Sequence, residues 1–164
     1  RTISSAASDV YKRQMYHANG IGLAATQISI DKRLIVMDCG KTKYETQNIS
    51  EEEYDEKIKD EQFEPFPIKM INPEIISLGK NLEEREEGCL SIPGYNAKIK
   101  RPSSLKVKYT DENKKDNIID AEGLLATCIQ HEIDHLNGIL FIDHLSKLKR
   151  EIILKKAIKE YSKN

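Results

Sequence analysis

His131 and His135 stand four residues apart in Gln130-His131-Glu132-Ile133-Asp134-His135, an H-E-x-x-H sequence that closes an apolar run, Gly123-Leu124-Leu125-Ala126-Thr127-Cys128-Ile129. The run reads as a helix, and on a helix residues four apart lie on one face about one turn from each other. Both imidazoles can therefore aim a ring nitrogen at one metal ion. Glu132 falls beside that ion rather than on it, where a general base must stand to take the proton of a water. The competing reading is an amphipathic helix with two ordinary histidines; the Glu directly after the first His argues against coincidence.

A metal held by two side chains of one helix needs a third protein ligand from elsewhere if a coordination position is to stay open for catalysis. One large class of zinc peptidases takes it from the same stretch, in H-E-x-x-H-x-x-G-x-x-H. Here Gly138 fits the glycine of that pattern, Phe141 occupies the place of the third His, and His144 is three positions out of register. Cys89, within Glu87-Gly88-Cys89-Leu90-Ser91-Ile92-Pro93-Gly94, is the better candidate as a thiolate. Gly88 before it leaves room, and the N–H of Leu90 after it can point into the site. Read alone, Cys89 also suits the role of a small buried hydrophobe.

The elements that must position these residues read as α+β, with mixed or antiparallel strands packed around the metal-binding helix and a further helix at the C-terminus. Arg33 to Asp38 is a short apolar run, a strand buried on both faces. Lys69 to Pro73 and Glu74 to Leu78 read as strand, turn and strand, with Gly79-Lys80-Asn81 as another turn. Asn96 to Ile99 and Ser104 to Tyr109 continue the strand pattern, and in the second Leu105, Val107 and Tyr109 alternate with lysines, so one face is buried and one wet. Asp111 to Asn117 is a polar hairpin end. Val10 to Asn19 reads as the last turns of a helix capped by Asn19-Gly20. Gly20-Ile21-Gly22-Leu23-Ala24-Ala25-Thr26-Gln27 follows as a loop of small residues ending in a carboxamide. It lacks the strand and spacing of a dinucleotide-binding turn.

A chain of 164 residues makes one domain with a real core. With 38% hydrophobic and 32% charged residues and a net charge of −1, it has no global attraction for nucleic acid. No apolar run approaches the roughly 20 residues of a membrane span. Cys39, Cys89 and Cys128 are scattered and odd in number, which suits a reducing compartment such as the cytoplasm. From Glu45 to Glu64 nine acids face two lysines, a solvated surface excursion that Pro65 and Pro67 close. Arg1 to Ser8, rich in Ser and Ala without acids, reads as a tag, fusion scar or misread start, so residues 1–14 are set apart from a single domain over 15–164.

Three blocks in order, Gly20 to Gln27, Glu87-Gly88-Cys89-Leu90-Ser91 and Gln130 to His135, resemble peptide deformylase. The resemblance runs from about Met15 to the C-terminus and includes Ile71-Asn72-Pro73 and Arg101-Pro102. It implies an enzyme that removes the formyl group from the N-terminal formyl-methionine of new polypeptides and releases formate, in a bacterial cytoplasm or, as the alternative, an organelle. It implies Cys89, His131 and His135 as ligands of one divalent ion, Fe(II) in the first place, with Zn, Ni or Co able to occupy the same site. Glu132 becomes the acid and base, and Gln27 with the Leu90 N–H the donors to the formyl oxygen. A pocket for the Met side chain is expected from Gly20, Ile21, Gly22, Gly88, Leu124, Cys128 and the far side of His131. Arg101 is expected to pair with Glu87 or Asp134 and so hold a ligand-bearing segment.

The chain departs from the family at its front, where Arg1 to Gln14 does not resemble the usual strand and helix, in the length of the acidic excursion, and at Arg85, a charged residue on the expected pocket rim. The last helix, about Ser146 to Tyr161, mixes Leu148, Ile152, Ile153, Leu154, Ala157 and Ile158 with six basic residues. Such a helix can meet a membrane surface or ribosomal RNA near the nascent-chain exit; plain packing of its apolar face is the competing reading. The ribosome is the contact carried forward, with neither DNA nor a membrane expected as partner. Two other classes stay open: a metallopeptidase cutting internal peptide bonds, and a protein that binds formylated peptides without turnover.

Overall fold

In the computed structural model, residues 5–40 and 66–162 are described; the excursion read from Glu45 to Glu64 lies outside them. The helix expected from Val10 starts earlier, as α1 (Ser5–His17). Its end satisfies two carbonyls that a helix leaves open: Asn19 N–H donates to the Tyr16 carbonyl at 3.0 Å and Gly20 N–H to that of Met15 at 3.0 Å. Asn19, at φ 53°, supplies the left-handed residue this ending requires.

The glycine-rich stretch read as a loop contains a short strand, β1 (Gly22–Ala24), followed by one 3-10 turn, Ala25–Ile28. Next come β2 (Leu34–Asp38), β3 (Pro67–Leu78), β4 (Leu82–Cys89), β5 (Ile92–Pro102), β6 (Ser104–Thr110) and β7 (Asp116–Glu122). The expected strand, turn and strand over residues 69–78 are one strand. Asn72, at φ 50°, makes a bulge there, its N–H donates to the Arg33 carbonyl at 2.8 Å, and the register to β6 shifts across it. A bulge leaves one residue out of the ladder, so Pro73, which has no N–H to give, sits where its loss is small.

β1, β2, β3, β6 and β7 form one antiparallel sheet in that order, and among the described residues β4 pairs only with β5. The helix read from the apolar run is α2 (Gly123–Leu136). Leu125, Ala126, Ile129 and Ile133 recur at helical spacing and press onto Ile35, Met37, Met70, Leu105 and Val107 of the sheet. Each fully buried Ile or Met in this layer contributes roughly 1.5–3 kcal/mol relative to exposure. Tyr11 and Met15 of α1 cover Leu34 and Val36 from the opposite side. β2 is thus enclosed between two helices, and all five of its residues are buried.

A third cluster joins Ile92 and Ile99 of β5 to Phe141 and Ile142, which lie in a 3-10 turn, Phe141–His144, after α2. Ile153, Leu154 and Ala157 of α3 (Lys147–Tyr161) lean on this cluster. Leu148, Ile152 and Ile158 on the same helix stay exposed. No helix among the described residues is long and apolar enough to cross a membrane.

Candidate metal centre

α2 carries His131 and His135 one turn apart, and their Nε2 atoms face each other at 3.1 Å. Cys89 ends β4, and its Sγ lies 3.1 Å from His135 Nε2. The three donor atoms all fall within 4.8 Å of one another. Two imidazole nitrogens bound to one tetrahedral ion at about 2.0–2.1 Å would be about 3.3 Å apart, close to the spacing found. The Phe141 position, where a zinc peptidase would place its third His, instead holds a buried ring stacked beside His131 at 6.4 Å between centroids. His144 is likewise outside the group.

The donor set asks for a cation. Burial alone would raise the Cys89 thiol, but its hydrogen bonds with His131 and His135, the charge of His135 and the Ser91 N–H bring it down to about 5. His131, against the desolvation that would lower it, is raised to about 10 by Cys89, Glu87 and Glu132. A thiolate and two carboxylates thus converge on two rings, and a divalent ion fits that set of charges.

The first of the two rings is held from behind. His131 Nδ1 donates to Glu87 Oε2 at 2.8 Å, which leaves the Nε2 lone pair for the site. Arg101 grips both Glu87 oxygens, Nε to Oε1 at 2.6 Å and an amino group to Oε2 at 3.0 Å, while its other amino group reaches Asp134 Oδ2 at 2.8 Å. The expected pairing of Arg101 with Glu87 or Asp134 is therefore a pairing with both. Desolvation opposes ionisation of Glu87, but the bonds from His131 and Arg101 outweigh it and hold the carboxyl below its ordinary value. The C-terminus of α2 is tied by Thr26, whose hydroxyl donates to the His135 carbonyl at 3.0 Å, and by Arg33, which donates to Asn137 Oδ1 at 3.0 Å.

Glu132 follows His131 on α2 and faces β1 beside the two histidines. It is 4% exposed, and its Oε2 has no hydrogen-bond partner among the described residues. Burial, only partly opposed by the two histidines, pushes its pKa up to about 7. β1 passes directly over it. A Cβ at Gly22 would collide with Glu132 Oε1 and lie 2.9 Å from Cys128 Sγ, so only glycine allows strand and carboxylate to approach this closely. Gln27 stands on the 3-10 turn after β1, where its Oε1 accepts the Ala24 N–H at 2.8 Å. That contact turns the amide nitrogen toward Cys89 Sγ at 3.6 Å and Ser91 Oγ at 3.2 Å.

This arrangement has known counterparts. A sequence model of the family described as Polypeptide deformylase matches residues 1–151. The chain belongs to the polypeptide deformylase family. Peptide deformylase from Agrobacterium fabrum is 47% identical over 145 residues, 88% of this chain and 74% of that protein. The crystal structure of peptide deformylase from Ehrlichia chaffeensis superimposes with a TM-score of 0.81 at 35% identity, covering 99% of this chain and 87% of that one. A second Ehrlichia chaffeensis structure, in complex with actinonin, gives 0.78 at 36% identity over 98% and 86% of the two chains. The match takes in the first fourteen residues, of which α1 sends Tyr11 into the core. As a deformylase the chain is a metal-dependent hydrolase that removes the formyl group of formylated nascent peptides.

The remaining residues expected at the deformylase centre are distributed unevenly. Cys128, buried one turn before Glu132, donates its S–H to the Ile21 carbonyl at 3.7 Å and meets Gly22. Leu124 packs half-buried on the main core, and Ile21 is exposed. Gly20 lies under the side chain of Leu90, which is exposed at the turn joining β4 to β5. Gly88 faces Asn96, on the strand side opposite Glu87 and Cys89. Arg85 bonds Glu83 at 2.7 Å, with its amino group near Gly123 at the start of α2. Sequence reasoning missed Phe141 beside His131, the contact from Ser91 N–H to Cys89 Sγ at 3.3 Å, and His144 on Asp134. The period of two along β4, which sets Glu87 and Cys89 on one face, was the available signal for Glu87 as His131's partner.

Proposed function

We propose that Cys89, His131 and His135 hold one divalent ion, Fe(II) in the cell, and that Glu132, Gln27 and the Leu90 N–H carry out deformylation of N-formylmethionyl peptides in the cytoplasm. The observation that carries this reading is the convergence of three donor atoms within 4.8 Å beside a buried carboxylate with one unpartnered oxygen. When bound, the ion lowers the pKa of a water toward neutrality and adds positive charge near the formyl oxygen. Glu132 takes the water's proton as the water oxygen adds to the formyl carbon, then passes it to the peptide nitrogen as the C–N bond breaks and formate leaves. Its dry setting between Gly22 and Cys128 suits both transfers. Gln27 Nε2, locked by Ala24, and the Leu90 N–H donate to the formyl oxygen as its negative charge grows; losing one such donor costs roughly 2.7–4 kcal/mol. Gly20, Ile21, Gly22, Gly88, Leu124, Cys128 and the outer side of His131 form the surroundings of the Met side chain. Residues 15–164 act as one catalytic domain. The exposed Leu148, Ile152 and Ile158 among the lysines of α3 support a ribosome contact there, which salt-dependent co-sedimentation with ribosomes checks.

Formate release from formyl-Met-Ala-Ser, assayed without oxygen on protein loaded with Fe(II) or Ni(II), tests the activity. Cleavage of an internal amide without formate would make the chain a peptidase, and saturable binding with neither product would make it a binding protein. Thiolate and imidazole suit several metals, so iron is tested separately. An Fe(II) site with a Cys89 thiolate is open to oxidation of metal and sulfur. Activity of the iron form should fall on storage in air while that of the nickel form persists; equal decay would remove iron or Cys89 from the assignment.

A further inference from the structure

Beyond the ligands, a chain of charged contacts runs from His131 to the protein surface and ends at His144. His131 Nδ1 donates to Glu87, Glu87 is gripped by Arg101, Arg101 reaches Asp134, and Asp134 Oδ2 accepts from His144 Nε2 at 2.7 Å. We propose that His144 is a positioning residue of the metal centre: by holding Asp134 it fixes Arg101 and Glu87, and through them the ring orientation and tautomer of His131. The proposal rests on His131 being a ligand.

The same Asp134 oxygen accepts from both Arg101 and His144. A carboxylate only accepts, so His144 presents an N–H to it. Asp134 is otherwise the loosest link, its side chain 17% exposed where those of Glu87 and Arg101 are 5% and 6%. A carboxylate reached by water can rotate away from Arg101, and a second donor on the same oxygen removes that freedom. His144 is itself well anchored, because Phe141 and Ile142 of its 3-10 turn are fully buried. The turn therefore transmits the rigidity of the third core cluster to α2 and to the hairpin β4–β5 together. Outer partners of this kind orient the ligand and tune its basicity, and their loss commonly costs 10–100-fold in metal affinity or activity.

The test compares His144→Phe, which keeps a ring and loses the donor, with His144→Gln, whose amide N–H can still reach Asp134. Each full-length protein is loaded with Co(II), and the thiolate and ligand-field absorption bands, the rate of metal release to a chelator, and kcat and KM are measured. His144→Phe should shift the Co(II) bands, release metal about 10-fold faster and lower kcat with little change in KM. His144→Gln should restore all three. Bands and release rate of His144→Phe equal to wild type overturn the proposal, as does a His144→Gln protein impaired to the same degree. Should His144→Phe fail to fold, Asp134→Asn replaces it: faster release supports the chain of contacts and wild-type release overturns it. Wild-type protein that shows no cobalt–thiolate band would instead remove the ligand assignment, which separates the two failures.

Discussion

Asp38 and Glu132 are both buried carboxylates, 2% and 4% exposed, and the fold treats them in opposite ways. Asp38, at the end of β2, has each oxygen engaged: Oδ1 accepts the N–H of Gly40 at 2.9 Å and of Phe66 at 3.0 Å, and Oδ2 accepts the Tyr16 hydroxyl. It thereby fastens α1 and both ends of the segment between Gly40 and Phe66. Glu132 keeps Oε2 without a partner among the described residues, under Gly22 of β1, the one residue type that can come so close. A buried acceptor left open costs about 1–3 kcal/mol, which is a poor way to hold a fold together and a useful way to hold a proton acceptor. Saturated contacts mark the structural carboxylate, and the unsaturated one is the group proposed as acid and base.

The contrast can be attacked first at the metal. Cys89→Ser should lose Fe(II) and with it all measurable turnover, because a hydroxyl stays protonated near neutral pH and is a poor ligand; full iron occupancy by elemental analysis would take Cys89 out of the site. Next, Glu132→Gln should keep its metal while kcat falls by about 10²–10⁴-fold, the range for a general acid–base group. An empty site in that protein would mean that Glu132 is a ligand, and the comparison with Asp38 would collapse.

At the other carboxylate the outcome should be reversed. Asp38→Ala removes the acceptor for two backbone N–H groups and a hydroxyl, so thermal or urea unfolding should show a loss of about 3 kcal/mol. The folded protein should retain its metal and its kcat; loss of either would tie Asp38 to the catalytic site. The smallest effect is expected of Tyr16→Phe. Burial first, then the hydrogen bond to Asp38 and its charge, raise the Tyr16 pKa in the folded protein. That contribution is complete below the unfolded tyrosine value of about 10 and fades as pH rises beyond it toward the folded value. Because the ring is 40% exposed, the variant should lose only about 0.5 kcal/mol at pH 8. The gap to wild type should close as the pH is raised above 10. A gap that widens would mean that Tyr16 ionises more easily when folded.

What the chain declares by itself is local. The apolar recurrence from Gly123 to Ile133 makes α2 and thereby puts His131, His135 and Glu132 around one turn, because helical spacing alone decides which residues share a face. The continuous apolar run of β2 announced burial on both sides, and the alternation in β6 announced one wet face. β4 made no such announcement: Leu82 to Cys89 carries five charged residues, and it is a strand because β5 pairs with it from Pro102 to Ile92. The bulge at Asn72 was equally hidden, since an Asn-Pro pair ordinarily signals a turn and only the neighbouring strands keep the chain straight. The order of three blocks, read as a resemblance, named Cys89 as the third ligand. The contact itself joins atoms 46 residues apart, and the bond that sets the His131 tautomer joins residues 44 apart. Local periodicity does not encode which distant side chains meet, because that depends on how the hairpin β4–β5 is carried against α2 by Ile92, Ile99, Phe141 and Ile142. The tertiary packing therefore decided that Arg101 serves two carboxylates at once and that His144, a failed third ligand in the sequence pattern, reaches the centre from outside.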